Sequence, residues 1–411
     1  GRCWHQKNGN DWTVEAFLVS DDGLGLDVAR DSRTREALAR ALPLLAETAV
    51  DTLRGHRLEA DDFDRLAVSD PTRDLLGWMV APEPFRKSMD ESRWRAFCGV
   101  CRGEFGLDPD KKSASDAAAA LVAGNGKWPG VWKRFREAPR LHAGLAQLLR
   151  DLPGQMNLDG ERNPAVNDAA EQRLRKHLSS VIALPQGQAI EQVLSLEAEH
   201  ARRREWVWAD LGQSPLARAL DPLARLATAV STTLGGATVE ATAAAYAGGG
   251  WRCDRAALDS LNSTETQADQ ALVEQVVRAL YLPWLDASAR HFQAIVNAAE
   301  GAARSLVIGS AAEKDCCTLF ADGLRFDVAT ILKEALEARG LQARLSHRLS
   351  PLPTVTATAK PFATTVADRL EGGADVIDFN PRIRDAAQAA NAKRLRDEMA
   401  QLGVDIIDGE P

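Results

Sequence analysis

The sequence has no run of about eighteen apolar residues, so no membrane-spanning helix is expected. Its start, Gly1-Arg2-Cys3-Trp4-His5, lacks the charged-then-apolar pattern of a secretory signal. It also lacks Met, which implies a processed or incomplete beginning. No GxxxxGK[ST] phosphate loop is present, so an NTPase is not indicated. Gly23-Leu24-Gly25 is too short and too misplaced for a dinucleotide fingerprint. No repeat of roughly 20–50 residues is visible. Only six cysteines occur in 411 residues. Cys98-Gly-Val-Cys101 is the one CxxC, and no second Cys/His pair follows at zinc-knuckle spacing. All six are therefore read as reduced thiols of a cytoplasmic protein.

What is present sets the class. Apolar residues make up 45%, enough for real cores. Aromatics are 6% and Ala dominates the apolar set, which predicts mostly helix. The length suits two to three domains of about 150 residues. A net charge of −8 argues against a globally basic nucleic-acid binder but leaves room for local basic patches.

Along the chain, Val14–Val19 is expected as a strand, and 1–66 as a mixed α/β segment. Helical periodicity begins at Asp31, with Leu38, Leu42, Leu45 and Val50 near one face. Asp70-Pro71 places an N-cap before a proline at the first helical position, and Pro82 stops the helix. Further helices are predicted over 91–105, 113–124, 128–137, 139–150, 165–182, 188–211 and 265–305. Residues 151–165 form a loop or linker, and Ala237–Gly250 a loose connection. Residues 67–312 thus read as one helical region with room for two subdomains.

After Gly309 the texture changes. Asp315-Cys-Cys-Thr-Leu-Phe-Ala321 is a short apolar run suited to a strand buried on both faces. Asp322-Gly323 follows, then an amphipathic helix with Val328, Leu332 and Leu336 on one side. Gly340 ends it, and Leu341-Gln-Ala343-Arg-Leu345 alternates as a half-buried strand should. This is the pattern of a βαβ unit opening an α/β domain over 313–411.

Ligands of open α/β sheets bind beyond the carboxyl ends of the strands, where Asp322 stands. A carboxylate there can reach a metal or phosphate, or merely cap a helix. Leu352-Pro-Thr-Val-Thr356-Ala-Thr-Ala-Lys360-Pro361 follows the second strand and leads into a helix. Its hydroxyls stand where anionic oxygens are favoured, and also where a Thr-rich loop would simply cap.

Together, Leu319-Phe-Ala-Asp322-Gly-Leu-Arg325-Phe-Asp327-Val-Ala329 and the 352–361 segment resemble the PglZ family of BREX phage-defence systems, within the alkaline phosphatase superfamily. Asp70-Pro-Thr-Arg-Asp-Leu-Leu and Glu197-Ala-Glu-His-Ala-Arg-Arg-Arg-Glu-Trp-Val-Trp208 also look like helical regions of its type B forms. The likeness is strongest over 310–365 and looser over 30–230. It implies a mainly α N-terminal region followed by an alkaline-phosphatase-like α/β domain, incomplete in this chain.

By the same resemblance, Asp322 matches the first metal-ligand Asp, and Thr356 the nucleophile, itself on the metal. Arg325 and Asp327 complete the family's Asp-Gly-x-Arg-x-Asp motif. Arg325 has two readings: a phosphate contact, or a pair with Asp327 across the helix start. Lys360 can add charge near the phosphate. A divalent metal is implied, zinc first, with manganese or magnesium as alternatives. No other cofactor is implied. The implied partners are other BREX proteins and, if the activity is a nuclease, DNA.

The superfamily completes its metal pair with Asp and His ligands from later strands. Nothing after 365 matches them: His347 is the last histidine, and Asp375, Asp378, Asp405 and Asp408 alone make a poor copy of a zinc pair. A fragment of a larger protein is therefore expected. The rival to a phosphoryl hydrolase is a scaffold subunit that assembles its complex through the helical region.

Two further segments have two readings each. Trp128-Pro-Gly-Val-Trp132-Lys133-Arg134-Phe135-Arg136 can track nucleic acid, or its rings can be core and its cations a solvated face. Arg202-Arg-Arg204 with Trp206 and Trp208 can meet phosphates or a partner protein, or form a helix edge. His142 and His291 read as structural.

Overall fold

The structure is a computed structural model describing residues 13–152, 160–298, 316–321, 323–347, 349, 354–372, 381–384 and 388–407. It is 68% helix, as the Ala-rich composition predicts, with one three-stranded sheet late in the chain. By packing, residues up to 174 together with 202–217 form one compact unit. Residues 175–201 together with 218 onward form a second.

In the first unit, Val14–Val19 is a six-residue helix, not the expected strand. The Thr13 hydroxyl accepts from the Ala16 N–H at 3.1 Å, and that N-cap tips a short apolar run towards helix. The helices Ser32–Leu45 and Ala60–Ala67 then pack together around Leu38, Leu58 and Phe63. Pro71–Val80 starts as the sequence dictates: the Asp70 carboxylate accepts from the Arg73 N–H at 3.0 Å.

A second core joins Pro71–Val80 to the helices Glu91–Phe105, Ala114–Ala123, Trp128–Glu137 and Gly144–Arg150. Phe97, Leu121, Phe135, Leu145 and Trp208 are among its fully buried members. Trp128 and Trp132 are buried beside them, so the core reading of the 128–136 segment holds. Two glycines let Ala60–Ala67 approach Glu91–Phe105. A Cβ on Gly99 would overlap the Asp64 carboxylate, and one on Gly103 the Asp61 carboxylate. Asp64 is 2% exposed and pinned by Arg40 at 2.8 Å, whereas Asp61 is 41% exposed.

The helix expected over 188–211 breaks. Gln186–His200 is helical, 201–205 is a 3-10 turn, and Val207–Asp210 is a short further helix. The break turns Arg203 inward. Its guanidinium donates to Glu171 at 2.8 Å and to the Asn167 side chain at 2.7 Å. The same Glu171 carboxylate accepts the N–H groups of Leu216 and Ala217 at 3.0 and 3.2 Å, capping the helix Pro215–Val230. The triple arginine is therefore not an exposed phosphate surface: Arg203 is buried, and Arg204 donates to the Ala217 carbonyl.

In the second unit, the loose connection expected over 237–250 is ordered helix. Thr238 caps Val239–Ala245, a π-turn follows over Tyr246–Gly250, and Trp251–Leu261 continues. Small residues misled the reading because Ala favours helix and a single π-turn accommodates the three glycines. The long helix Gln267–Ala298 packs against Gln186–His200 and Trp251–Leu261. At its start, Asp269 is buried against Arg175 and Thr266.

The expected βαβ opening does not appear as such. Its helix forms, Phe326–Ala338, but 316–321 and 341–347 carry no strand, and Cys316 and Cys317 are exposed. An apolar run becomes a buried strand only where neighbouring strands complete its ladder, and among the described residues none does. The sheet that does form is antiparallel: Leu370–Glu371 pairs with Arg382–Ile383, which pairs with Gln388–Ala389. It closes over Phe362, Ala367, Leu370 and Ile383.

Two substitutions test this packing. Helix propensity alone favours Ala over Gly by about 1 kcal/mol. Overlap with a pinned, buried carboxylate costs about 1–3 kcal/mol. Gly99→Ala should therefore lower the urea midpoint at unchanged m-value, and Gly103→Ala should lower it less. Arg203→Ala leaves Glu171 half-satisfied and should cost about 3–5 kcal/mol in the same assay.

Candidate functional site

Asp322 lies outside the described residues. Directly after it, Gly323 has φ +71°, a left-handed turn that glycine adopts without strain. The turn delivers Arg325 to the N-cap of Phe326–Ala338, where no side chain caps the helix. Asp327 sits in the first turn, fully buried, and accepts from Arg325 Nε at 3.0 Å and Nη2 at 3.3 Å. The pairing reading of Arg325 thus describes its geometry. A carboxylate in a first helical turn is also favoured by the helix dipole.

Arg325 has a second carboxylate neighbour, Asp254, at 3.9 Å. Asp254 accepts from the hydroxyls of Tyr246 and Tyr281. Burial, then the hydrogen bond to Asp254, pushes both phenols far above their usual range, so they remain donors. Partial burial opposes the Arg325 charge, but the Asp327 hydrogen bond and the two carboxylate charges outweigh it and raise its pKa. Asp254, Tyr246 and Tyr281 were not legible in the sequence. They stand between 44 and 79 residues upstream of Arg325 in segments with no motif, joined only by the fold.

The second motif begins a short helix, Thr356–Phe362. Thr356 is its first residue and is exposed, so its hydroxyl is accessible. Thr358 points the other way: it is fully buried, and its hydroxyl has no hydrogen-bond partner among the described residues. Pro361 and Phe362 anchor the helix in its small core. The Lys360 ammonium lies 5.6 Å from the centre of the Phe320 ring, a cation–π contact. That contact brings the threonine helix against the segment ending two residues before Asp322.

Among the described residues, no three His, Cys, Asp or Glu side chains stand together as a metal site. The other sequence candidates have structural roles. His291 contacts the Gly236 carbonyl at 2.9 Å. Burial, then the Arg134 charge, lowers the pKa of His142. Comparison with protein-family models, with curated proteins and with solved structures found no match.

The CxxC is not a redox pair. Cys98 and Cys101 are buried free thiols in Glu91–Phe105, and burial first, then nearby carboxylates, pushes Cys98 up to about 12. Cys101 is raised further, by burial and then by Cys98. A maleimide applied to the native protein should label Cys316 and Cys317 and spare Cys98, Cys101 and Cys253, read by peptide mass mapping. Fast labelling of Cys98 would contradict this assignment.

Proposed function

We propose that this chain is a PglZ-like component of BREX phage defence that acts as a metal-dependent phosphoryl hydrolase of alkaline-phosphatase type. One observation supports the reading above the others. The two motif segments, separated by a helix in the sequence, meet through Lys360 and Phe320.

In this reading the Thr356 hydroxyl attacks phosphorus in line with the leaving oxygen. The P–O bond to the leaving group breaks as the Thr356 Oγ–P bond forms, and the hydroxyl proton is released. Water then hydrolyses the phosphothreonine and regenerates the hydroxyl. Lys360 adds positive charge near the phosphoryl oxygens, and Arg325 offers them its remaining N–H groups. A bound divalent cation, zinc first with manganese or magnesium as alternatives, would supply charge neutralisation and a lowered hydroxyl pKa, with Asp322 and Thr356 among its ligands. The substrate is a phosphomonoester or a phosphodiester, DNA included, and the setting is cytoplasmic.

A second reading is a non-catalytic scaffold that assembles the BREX complex. It is favoured by the share of the chain given to helix packing outside the motif segments.

Hydrolysis of a model monoester and a model diester, with added zinc, manganese or magnesium, decides between them. Wild type should turn over only with metal, and Thr356→Ala should lose roughly a thousandfold or more. The preferred ester then separates phosphatase from nuclease. Turnover that survives Thr356→Ala removes the nucleophile, and no turnover in wild type favours the scaffold.

A further inference from the structure

Arg325 breaks a local rule. A cation at a helix N-cap faces the positive end of the helix dipole, where carboxylates and hydroxyls are favoured. Such violations mark positions that serve something other than the local fold. Here the surroundings are built to hold the cation. Asp327 grips it bidentately from the first turn, and Asp254 faces it from the helix Trp251–Leu261.

Asp254 is itself fixed. Its side chain is 13% exposed, and its two oxygens accept from different tyrosines. Tyr246 comes from the π-turn 246–250, and Tyr281 from the middle of Gln267–Ala298. Insertions of this π kind recur at functional sites. The Phe326 ring adds a contact to Tyr246, with centroids 6.1 Å apart. Three helical segments thus converge on the turn that carries the Asp-Gly motif.

We propose that Asp254, held by Tyr246 and Tyr281, is a positioning residue for the phosphoryl site: with Asp327 it fixes Arg325, and through Arg325 the turn over 323–325. This rests on the phosphoryl-transfer reading above. It makes the helical region a working part of the site, not only a support for it. The carboxylate touches no substrate. It sets the angle at which the turn presents the free edge of the Arg325 guanidinium.

The test uses the full chain with Asp254→Asn and with the double variant Tyr246→Phe/Tyr281→Phe, which keeps both rings and removes only the hydroxyls. The first readout is native tryptic cleavage after Arg325, compared with cleavage after Arg57, an exposed loop residue of the other unit. Loss of the clamp should raise the Arg325 rate about tenfold relative to Arg57. The second readout is the metal-dependent ester assay. Misplacing the turn should lower kcat about a hundredfold and leave KM within a few-fold. Both changes together, in either variant, support the proposal. An unchanged cleavage ratio overturns the clamp. A raised ratio with unaltered kcat overturns the positioning role. Wild type without turnover sinks the phosphoryl reading and the positioning role with it, and the cleavage ratio then reports a purely structural clamp.

Discussion

A guanidinium taken out of water must find its counter-charges inside the protein, and Arg203 organises the first unit on that ground. It is 4% exposed, where an unpaired charge would cost several kcal/mol. Its partners, Glu171 and Asn167, lie on the helix Pro164–Val181, so the chain must leave the helix at His200 to reach them. Glu171 then spends its remaining acceptor capacity on the first N–H groups of Pro215–Val230. One half-buried carboxylate thereby fixes a helix end, a turn and a helix start, and holds the buried Arg203 away from any phosphate.

The second unit applies the same constraint to anions. Asp269, Asp254 and Asp327 are all withdrawn from solvent; Asp269 and Asp254 have partners brought from distant segments, and Asp327 has Arg325 two residues before it. For Asp269 the outcome is a capped helix. For Asp254 and Asp327 the outcome is an arginine held at a helix N-cap, where the dipole alone would not keep it. Arg203 and Arg325 thus look alike in sequence but differ in consequence. Arg203 is sealed, while the Arg325 side chain is half-exposed and keeps an edge towards solvent.

What was legible follows from how local each signal is. Asp70-Pro71 is read from two residues and a capping bond, and it holds. The rings of Trp128, Trp132 and Phe135 recur at helical spacing, and they are core. The 237–250 stretch failed because small residues carry little periodicity: nothing apolar marks a face, and three glycines look like a linker. The strands over 315–321 and 341–345 failed for another reason. Strand identity depends on a partner that no local pattern names, and helix Phe326–Ala338, whose bonds are its own, formed as expected. Asp254 could not be found at all, because its meaning comes from two tyrosines and an arginine that only the fold assembles.

These contrasts locate the functional question. In the helical packing, the buried charges Arg203, Asp64 and Asp269 are each explained by a partner and a structural job. The residues from about 316 to 360 are different. Leu319 is 90% exposed, and Val355 and Leu332 about half, though each would gain roughly 2 kcal/mol from burial. Close by in sequence, Thr358 buries a hydroxyl without a partner among the described residues, and Arg325 takes a position its helix disfavours. Exposed apolar groups such as Leu141 and Ile407, and buried polar atoms without a partner among the described residues such as Thr264 Oγ1, occur elsewhere too, but the cation at a helix N-cap joins them here. On the proposed phosphoryl reading, this stretch, with exposed Thr356 near its end and Arg325 held half-exposed by Asp254 and Asp327, is where the chemistry would sit.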